Sequence, residues 1–479
     1  MDLPNPISRS DMYMAYLNGE IVELPEPASR SDIYLYNLCV NSSGTSKGKK
    51  YGVRFYKNSS DPSGERLGDA VGLTANAGVG SSIVKNDFDD IYPWGYRRVC
   101  NLSIDGKVLA YEGDPTFRRD GSNGDVMVET PKFYQKYVET DEYIEYWIAD
   151  YFAPGFRLSP RFRKKDGTIL ENDYIGAYKA GLVDNKLVSY SGVFPKVEAG
   201  RNSFRNWAKA KGDGWGITDI AYRCDIENYL FYIEFATRNS QAIMQGLTTF
   251  AWDYTTTEAT ENSNTLTLNS NNICVGFTLR INNTDRRVIS VDSSAKTVVV
   301  DGEPFTIASG VTISARGWIS GETDKVKASS GSMLSNTDGK NCCVYRGEEN
   351  PWGNIWEWVD GCNIKDWQAY VHWIPSEYAD DKFIEPYTQL GYMNSKTDGF
   401  VMEMGYDENT PYAQLPTRTG GSSSTYFADN YYQSGGNKAP RVGATLYSGS
   451  YAGLSSWFCS DGFGSSYRTL GARLSYKPS

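Results

Sequence analysis

Histidine is nearly absent from this chain: of 479 residues, only His372 is one. That excludes a His-Glu-x-x-His metalloprotease motif, a three-histidine metal site and a Cys₂His₂ finger. His372 lies in the apolar run Tyr370-Val371-His372-Trp373, where a packing role is expected. The eight cysteines contain no Cys-x-x-Cys pair and are too sparse for a disulfide scaffold, so they read as small buried hydrophobes. Synthesis in a reducing cytoplasm suits them. No stretch of about 18 apolar residues is present to span a membrane. Met1 to Pro6 has neither a basic nor an apolar stretch and reads as no secretory signal. Walker-type and Gly-x-Gly-x-x-Gly motifs are missing as well. The acidic pairs Asp89-Asp90 and Glu348-Glu349 are adjacent in sequence, which says nothing about facing each other across a cleft. No catalytic residue, metal ligand or cofactor is therefore assigned, and a non-enzyme is expected. The net charge of −10 argues against nucleic acid, which needs clustered Lys and Arg.

What the chain has in quantity is 35 Tyr, 12 Trp and 47 Gly. With Ser and Asn, these residues build recognition surfaces, because Tyr and Trp offer rigid contact area at low entropy cost. They also build loop-rich β proteins, so composition alone does not decide.

The first residues carry a repeat. Leu3-Pro4-Asn5-Pro6-Ile7-Ser8-Arg9-Ser10-Asp11 returns as Leu24-Pro25-Glu26-Pro27-Ala28-Ser29-Arg30-Ser31-Asp32. Each copy is an extended Pro-x-Pro piece followed by a capped stretch too short to be a stable helix alone. Residues 1–47 are thus expected to be an arm that docks on a partner particle or on symmetry mates. A body follows in two parts, 48–261 and 319–479, interrupted by a small β insertion at 262–318. In the first part, Val126 to Glu129 and Tyr143 to Ile148 read as strands. Asn202 or Ser203 caps a helix through Ala208, and a second helix from about Asp219 places Ile226, Tyr229, Leu230 and Ile233 in the core. The insertion carries Thr265-Leu266-Thr267-Leu268 and Thr297-Val298-Val299-Val300, with turns at Asn282-Asn283 and Asp301-Gly302. The chain from about 320 onward reads as long loops on a β scaffold.

Two segments carry a resemblance. Trp352-Gly353-Asn354-Ile355-Trp356-Glu357-Trp358-Val359 alternates two faces like a half-buried strand. It resembles the corresponding motif of the formylglycine-generating-enzyme branch of the C-type-lectin fold. Gly471-Ala472-Arg473-Leu474 looks like the last strand of that fold. The segment from Arg441 to Arg468 is similar in layout to the variable region of proteins diversified by retroelements. Met127 to Tyr134, Gly214-Trp215-Gly216, Glu234 to Gln241 and the Leu-Pro-x-Pro repeat resemble pieces of phage tail-fibre proteins. The enzyme branch would need a cysteine pair or several histidines near the C-terminus, and only Cys459 lies there.

The resemblance implies an α+β, C-type-lectin-like fold with long loops, the small β insertion and an N-terminal attachment arm. It implies a bacteriophage receptor-binding protein, a tail or head fibre adhesin exposed on the virion. Such a protein would be homotrimeric and bind a bacterial surface receptor, protein or glycan, while its arm binds virion structural proteins. The ligand-facing residues would be Tyr431, Tyr432, Tyr447, Ser448, Ser450, Tyr451, Ser455, Trp457, Cys459, Asp461 and Tyr467. Their segment mixes aromatic and small polar residues without a clean period, and Gly449, Gly453, Gly462 and Gly464 break it into turns. Rival readings are a surface-polysaccharide depolymerase and a purely structural decorating fibre.

Overall fold

A computed structural model describes residues 48–478. The repeat arm at 1–47 lies outside the described residues. The expectation of an α+β, C-type-lectin-like fold is overturned. Strands hold 39% of the structure and helices 10%, so the protein is predominantly β. Among the described residues the helices are few and short. One spans Arg201–Lys209, starting just before the expected caps and buried through Phe204 and Ala208. The other is a π-turn, Tyr222–Glu227, that runs into the α-helix Asn228–Phe235. Every residue of both pieces is buried, so this second helix has no solvent face. It is a core rod, and the sheets close around it.

Four sheets do most of the building. A five-stranded sheet has Lys50–Tyr56 and Tyr143–Ala149 at its centre. A six-stranded sheet is ordered Trp215–Ile217, Arg473–Tyr476, Asn172–Lys179, Asp125–Pro131, Arg98–Leu102, Val108–Tyr111, so the last strand of the chain is inserted among early ones. A second six-stranded sheet is built mostly from strands within 262–318 and also takes in Asp253–Thr255, upstream of it. It has its own core of Leu266, Phe277, Leu279, Val298 and Trp318. Asn282 and Asn283 take left-handed φ of +49° and +64° and turn the hairpin Phe277–Ile281 to Thr284–Asp292, as Asn does with least strain.

The fourth sheet replaces the expected long loops. It has ten strands, and its middle runs Cys362–Lys365, Asn437–Gly443, Gly453–Asp461, Asn430–Gln433, Gly399–Met404. The segment from Ser455 to Asp461, which looked aperiodic, is therefore regular strand. Serines hid the pattern: Ser455 and Ser456 are buried. The Ser455 hydroxyl is hydrogen-bonded to Tyr232, and its backbone N–H donates to Asp429 at 2.6 Å. The Trp356-Glu357-Trp358 motif is also more deeply placed than a half-buried strand, with all three residues covered on both faces.

Charged groups are built into this interior. Glu357 meets Lys179 at 2.5 Å and Arg473 at 3.0 Å. Burial alone would raise the Glu357 pKa, but Arg473, Lys179 and Arg223 outweigh it and bring it down to about 2. Burial pulls Lys179 down to about 8 against the attraction of Glu357. Arg161 is bracketed by Asp173 at 2.5 Å and Asp219 at 2.7 Å. The described cysteines are free and, apart from the half-covered Cys274, buried. His372 packs against Tyr378 and Tyr387 and bonds Glu377 at 3.0 Å.

Candidate functional site

The ten-stranded sheet sorts the sequence-predicted residues into two sets by strand parity. Asn430–Gln433 and Gly453–Asp461 run parallel, with Tyr431 opposite Trp457, Tyr432 opposite Phe458 and Gln433 opposite Cys459. Asn437–Gly443 runs antiparallel on the other side, with Val442 opposite Trp457 and Arg441 opposite Phe458. Side chains alternate across a sheet. Tyr431, Trp457 and Val442 therefore enter the core together, and none is exposed. Arg441, Phe458 and Tyr432 form a row on the opposite face.

Five predicted residues are consequently not ligand-facing. Tyr431, Trp457 and Cys459 are core, with the Tyr431 hydroxyl donating to the Ser395 carbonyl at 3.2 Å. Burial pushes the Cys459 thiol well above its ordinary pKa, which leaves it inert. Ser455 is buried as described. Asp461 is buried at the foot of the outer row, where it serves Arg441. The outer set is Tyr432, Tyr447, Ser448, Ser450, Tyr451 and Tyr467. Tyr447 is 38%, Tyr451 44% and Tyr467 42% exposed.

The outer row is held by one cation. The Arg441 guanidinium lies 3.9 Å from the ring centre of Phe458, 4.9 Å from Trp356 and 5.2 Å from Tyr467. Its Nε approaches Asp461 Oδ2 to 3.0 Å as an ion pair without the alignment of a hydrogen bond. Tyr467 donates to the other Asp461 oxygen at 3.1 Å. Burial lowers the Arg441 pKa and raises that of Asp461, and each partner opposes the other's shift. From Phe458 the rings continue outward. Tyr432 is 5.2 Å away, Tyr451 is 6.4 Å from Tyr432, and Phe400 is 5.4 Å from Tyr451. A second group stands near it. Tyr447 meets the exposed Trp252 edge-on at 4.4 Å, and Arg468 covers Trp252 at 3.8 Å while pairing with Asp253. Ser448 accepts from the Thr445 backbone N–H at 3.0 Å and so shapes the turn that carries Tyr447.

Phe400, Phe458, Arg441, Trp252 and Arg468 were missed by sequence reasoning. A period of two counted from Trp457 would have placed Phe458 on the opposite face. No local signal could have joined Trp252 or Phe400 to the segment: Phe400 arrives on a strand of the ten-stranded sheet, and Trp252 just before Asp253–Thr255 of another sheet.

Chemically, this face offers several aromatic rings held edge-to-face or tilted, arginines stacked on them, and peripheral hydroxyls. Such a surface suits stacking and hydrogen bonding to a ligand. No family model matches the chain, and no curated protein is significantly similar to it.

Proposed function

We infer that this protein is a receptor-binding protein of a bacteriophage fibre, which holds a bacterial surface ligand, protein or glycan, against the face centred on Tyr432, Tyr451, Phe458 and Tyr467. The observation that carries the reading is the ring-and-arginine row on the outer side of the ten-stranded sheet. Large exposed rings cost solubility unless something covers them. Here they are fixed by neighbours on both sides, so little side-chain entropy is lost when a partner arrives. Binding energy in such faces concentrates in a few aromatic and arginine anchors. In this reading the residues at 1–47 attach the protein to the virion. Assembly as a trimer multiplies weak single-site contacts by avidity.

The test is binding of the labelled full-length protein to intact candidate host cells. The control changes Tyr447, Tyr451 and Tyr467 together to Ala. These are surface residues, so the variant should fold. Trp457 is left alone because it belongs to the core. Loss of cell binding by about a hundredfold or more with an unchanged melting temperature is expected. Equal binding by the two proteins would place the receptor site elsewhere.

A further inference from the structure

A second site stands apart from that face and shares no residue with it. It is a pocket of about 260 Å³ between the five-stranded sheet and the hairpin Gly399–Met404 to Pro416–Thr419. Its walls include Tyr137 and Tyr406, stacked at 4.3 Å and 25°, together with Met404 and Tyr426. At its base Arg238 lies between Phe55, 4.7 Å from the guanidinium, and Phe427, 4.9 Å from it.

Arg238 is an exception within this molecule. Ten arginines are buried among the described residues. The other nine each reach a carboxylate within ion-pair distance. Arg238 reaches none: tyrosine hydroxyls and, from beyond ion-pair distance, the exposed Asp61 carboxylate are what act on its charge. Its side chain makes one hydrogen bond among the described residues, from Nη2 to the Asp61 carbonyl at 3.3 Å. Nε is buried with no partner. Burial lowers its pKa, and the surrounding tyrosines oppose that shift without cancelling it. The rim does not supply the missing charge. Lys57 is paired with Glu139 at 2.6 Å, and Arg418 with Glu403 at 2.5 Å, so the rim charges cancel and Arg238 remains. An unpaired buried cation is expensive. Tyr426 adds local strain beside it, with a left-handed φ of +56° held by a backbone bond to Ser60 at 2.7 Å. Costs of this kind are retained where a ligand repays them.

We propose that this pocket binds a carboxylate-bearing sugar, its carboxylate on the Arg238 guanidinium and its ring against the Tyr137–Tyr406 wall. A guanidinium matches a carboxylate edge-on with two parallel hydrogen bonds. A phosphate alone would satisfy the charge and leave the aromatic wall unused. The volume lies just below the usual range for drug-sized ligands, about 300–1,000 Å³, and so fits a single sugar unit.

Calorimetric titration of the full-length protein tests this, with methyl β-glucuronide, methyl β-glucoside and inorganic phosphate as probes. Glucuronide should bind about tenfold or more tightly than either of the others. Arg238→Met should abolish that preference while its melting temperature stays level or rises, because an uncompensated charge has been removed. Tyr406→Ala, a half-buried wall residue, should weaken glucuronide several-fold and serves if Arg238→Met does not fold. A glucuronide oligomer that binds more tightly than the monosaccharide would support the site and mark a polymer as its source. Equal affinity for glucuronide and glucoside, no binding of glucuronide, or unchanged binding by folded Arg238→Met would each overturn the assignment. Cell binding through the Tyr447–Tyr451–Tyr467 face is read separately, so failure of one leaves the other standing.

Discussion

Arg441 and Arg238 are buried in similar surroundings and differ in one respect. Both guanidiniums lie between aromatic rings, Arg441 at Phe458 and Trp356, Arg238 at Phe55 and Phe427. Arg441 has Asp461 at 3.0 Å, and Arg238 has no carboxylate within ion-pair distance among the described residues. Aromatic faces attract a cation by about 2 kcal/mol or more in desolvated sites, against a desolvation cost of several kcal/mol for a buried charge. The paired arginine is thus complete and works as a strut for the rings around it. The unpaired one is incomplete and is where a ligand's charge belongs. The same contrast runs through the interior, where Arg161, Arg205 and Arg473 all have their acids.

Removing the acid from a buried pair turns a compensated cation into an uncompensated one. The largest effect is expected at Glu357→Ala, which strands Lys179 and Arg473 in the core and should cost about 3–5 kcal/mol in urea denaturation. Asp461→Ala makes Arg441 resemble Arg238. It lies nearer the surface, and about 1–3 kcal/mol is expected, with cell binding weakened as the rings around Arg441 loosen. Arg238→Met runs the opposite way and should cost nothing.

Proton linkage gives a further contrast. Burial raises Glu349 from 4.5 to about 7, although Thr323 and Gly321 donate hydrogen bonds to it. A carboxyl whose pKa is raised by folding binds its proton more tightly in the folded state. Its stabilising contribution is full below pH 4.5 and is lost as pH rises to about 7, by up to about 1.4 kcal/mol per pH unit. Glu357, held near 2, acts only below 4.5, where acid removes its contribution. Urea midpoints should therefore fall between pH 4.5 and 7 and rise again above about 8, where the unfolded chain holds the Lys179 proton more tightly than the folded one. A midpoint that climbs steadily through that window would contradict the placement of Glu349. The smallest effect belongs to the pocket rim, where Arg418→Ala should change stability by less than about 0.5 kcal/mol, since the Arg418–Glu403 pair is half exposed.

Local patterns in the sequence reached some of this and not the rest. Strands at Asp125–Pro131 and Tyr143–Ala149 follow from β-branched and aromatic runs, and the Asn282-Asn283 turn from its dipeptide. The fold class did not follow. The strand Arg473–Tyr476 joins a sheet whose neighbours Asn172–Lys179 and Trp215–Ile217 lie hundreds of residues earlier, and no local pattern encodes that. Within the candidate site, Tyr447, Tyr451 and Tyr467 were legible because Gly and Ser place them on turns. Trp457 and Cys459 were misread because the buried Ser455 and Ser456 imitate a solvated loop. Arg238 stood in a segment that the sequence singles out, but its lack of a counter-charge is a property of the packed molecule.

The most direct test of the account places a photo-crosslinking side chain at Tyr451 in one protein and at Ile83, which is 90% exposed, in another. Both are irradiated on intact host cells. Cell-surface adducts are expected from position 451 and none from 83. Adducts from 83 alone, or equally from both, would contradict the claim that the ring-and-arginine face holds the receptor.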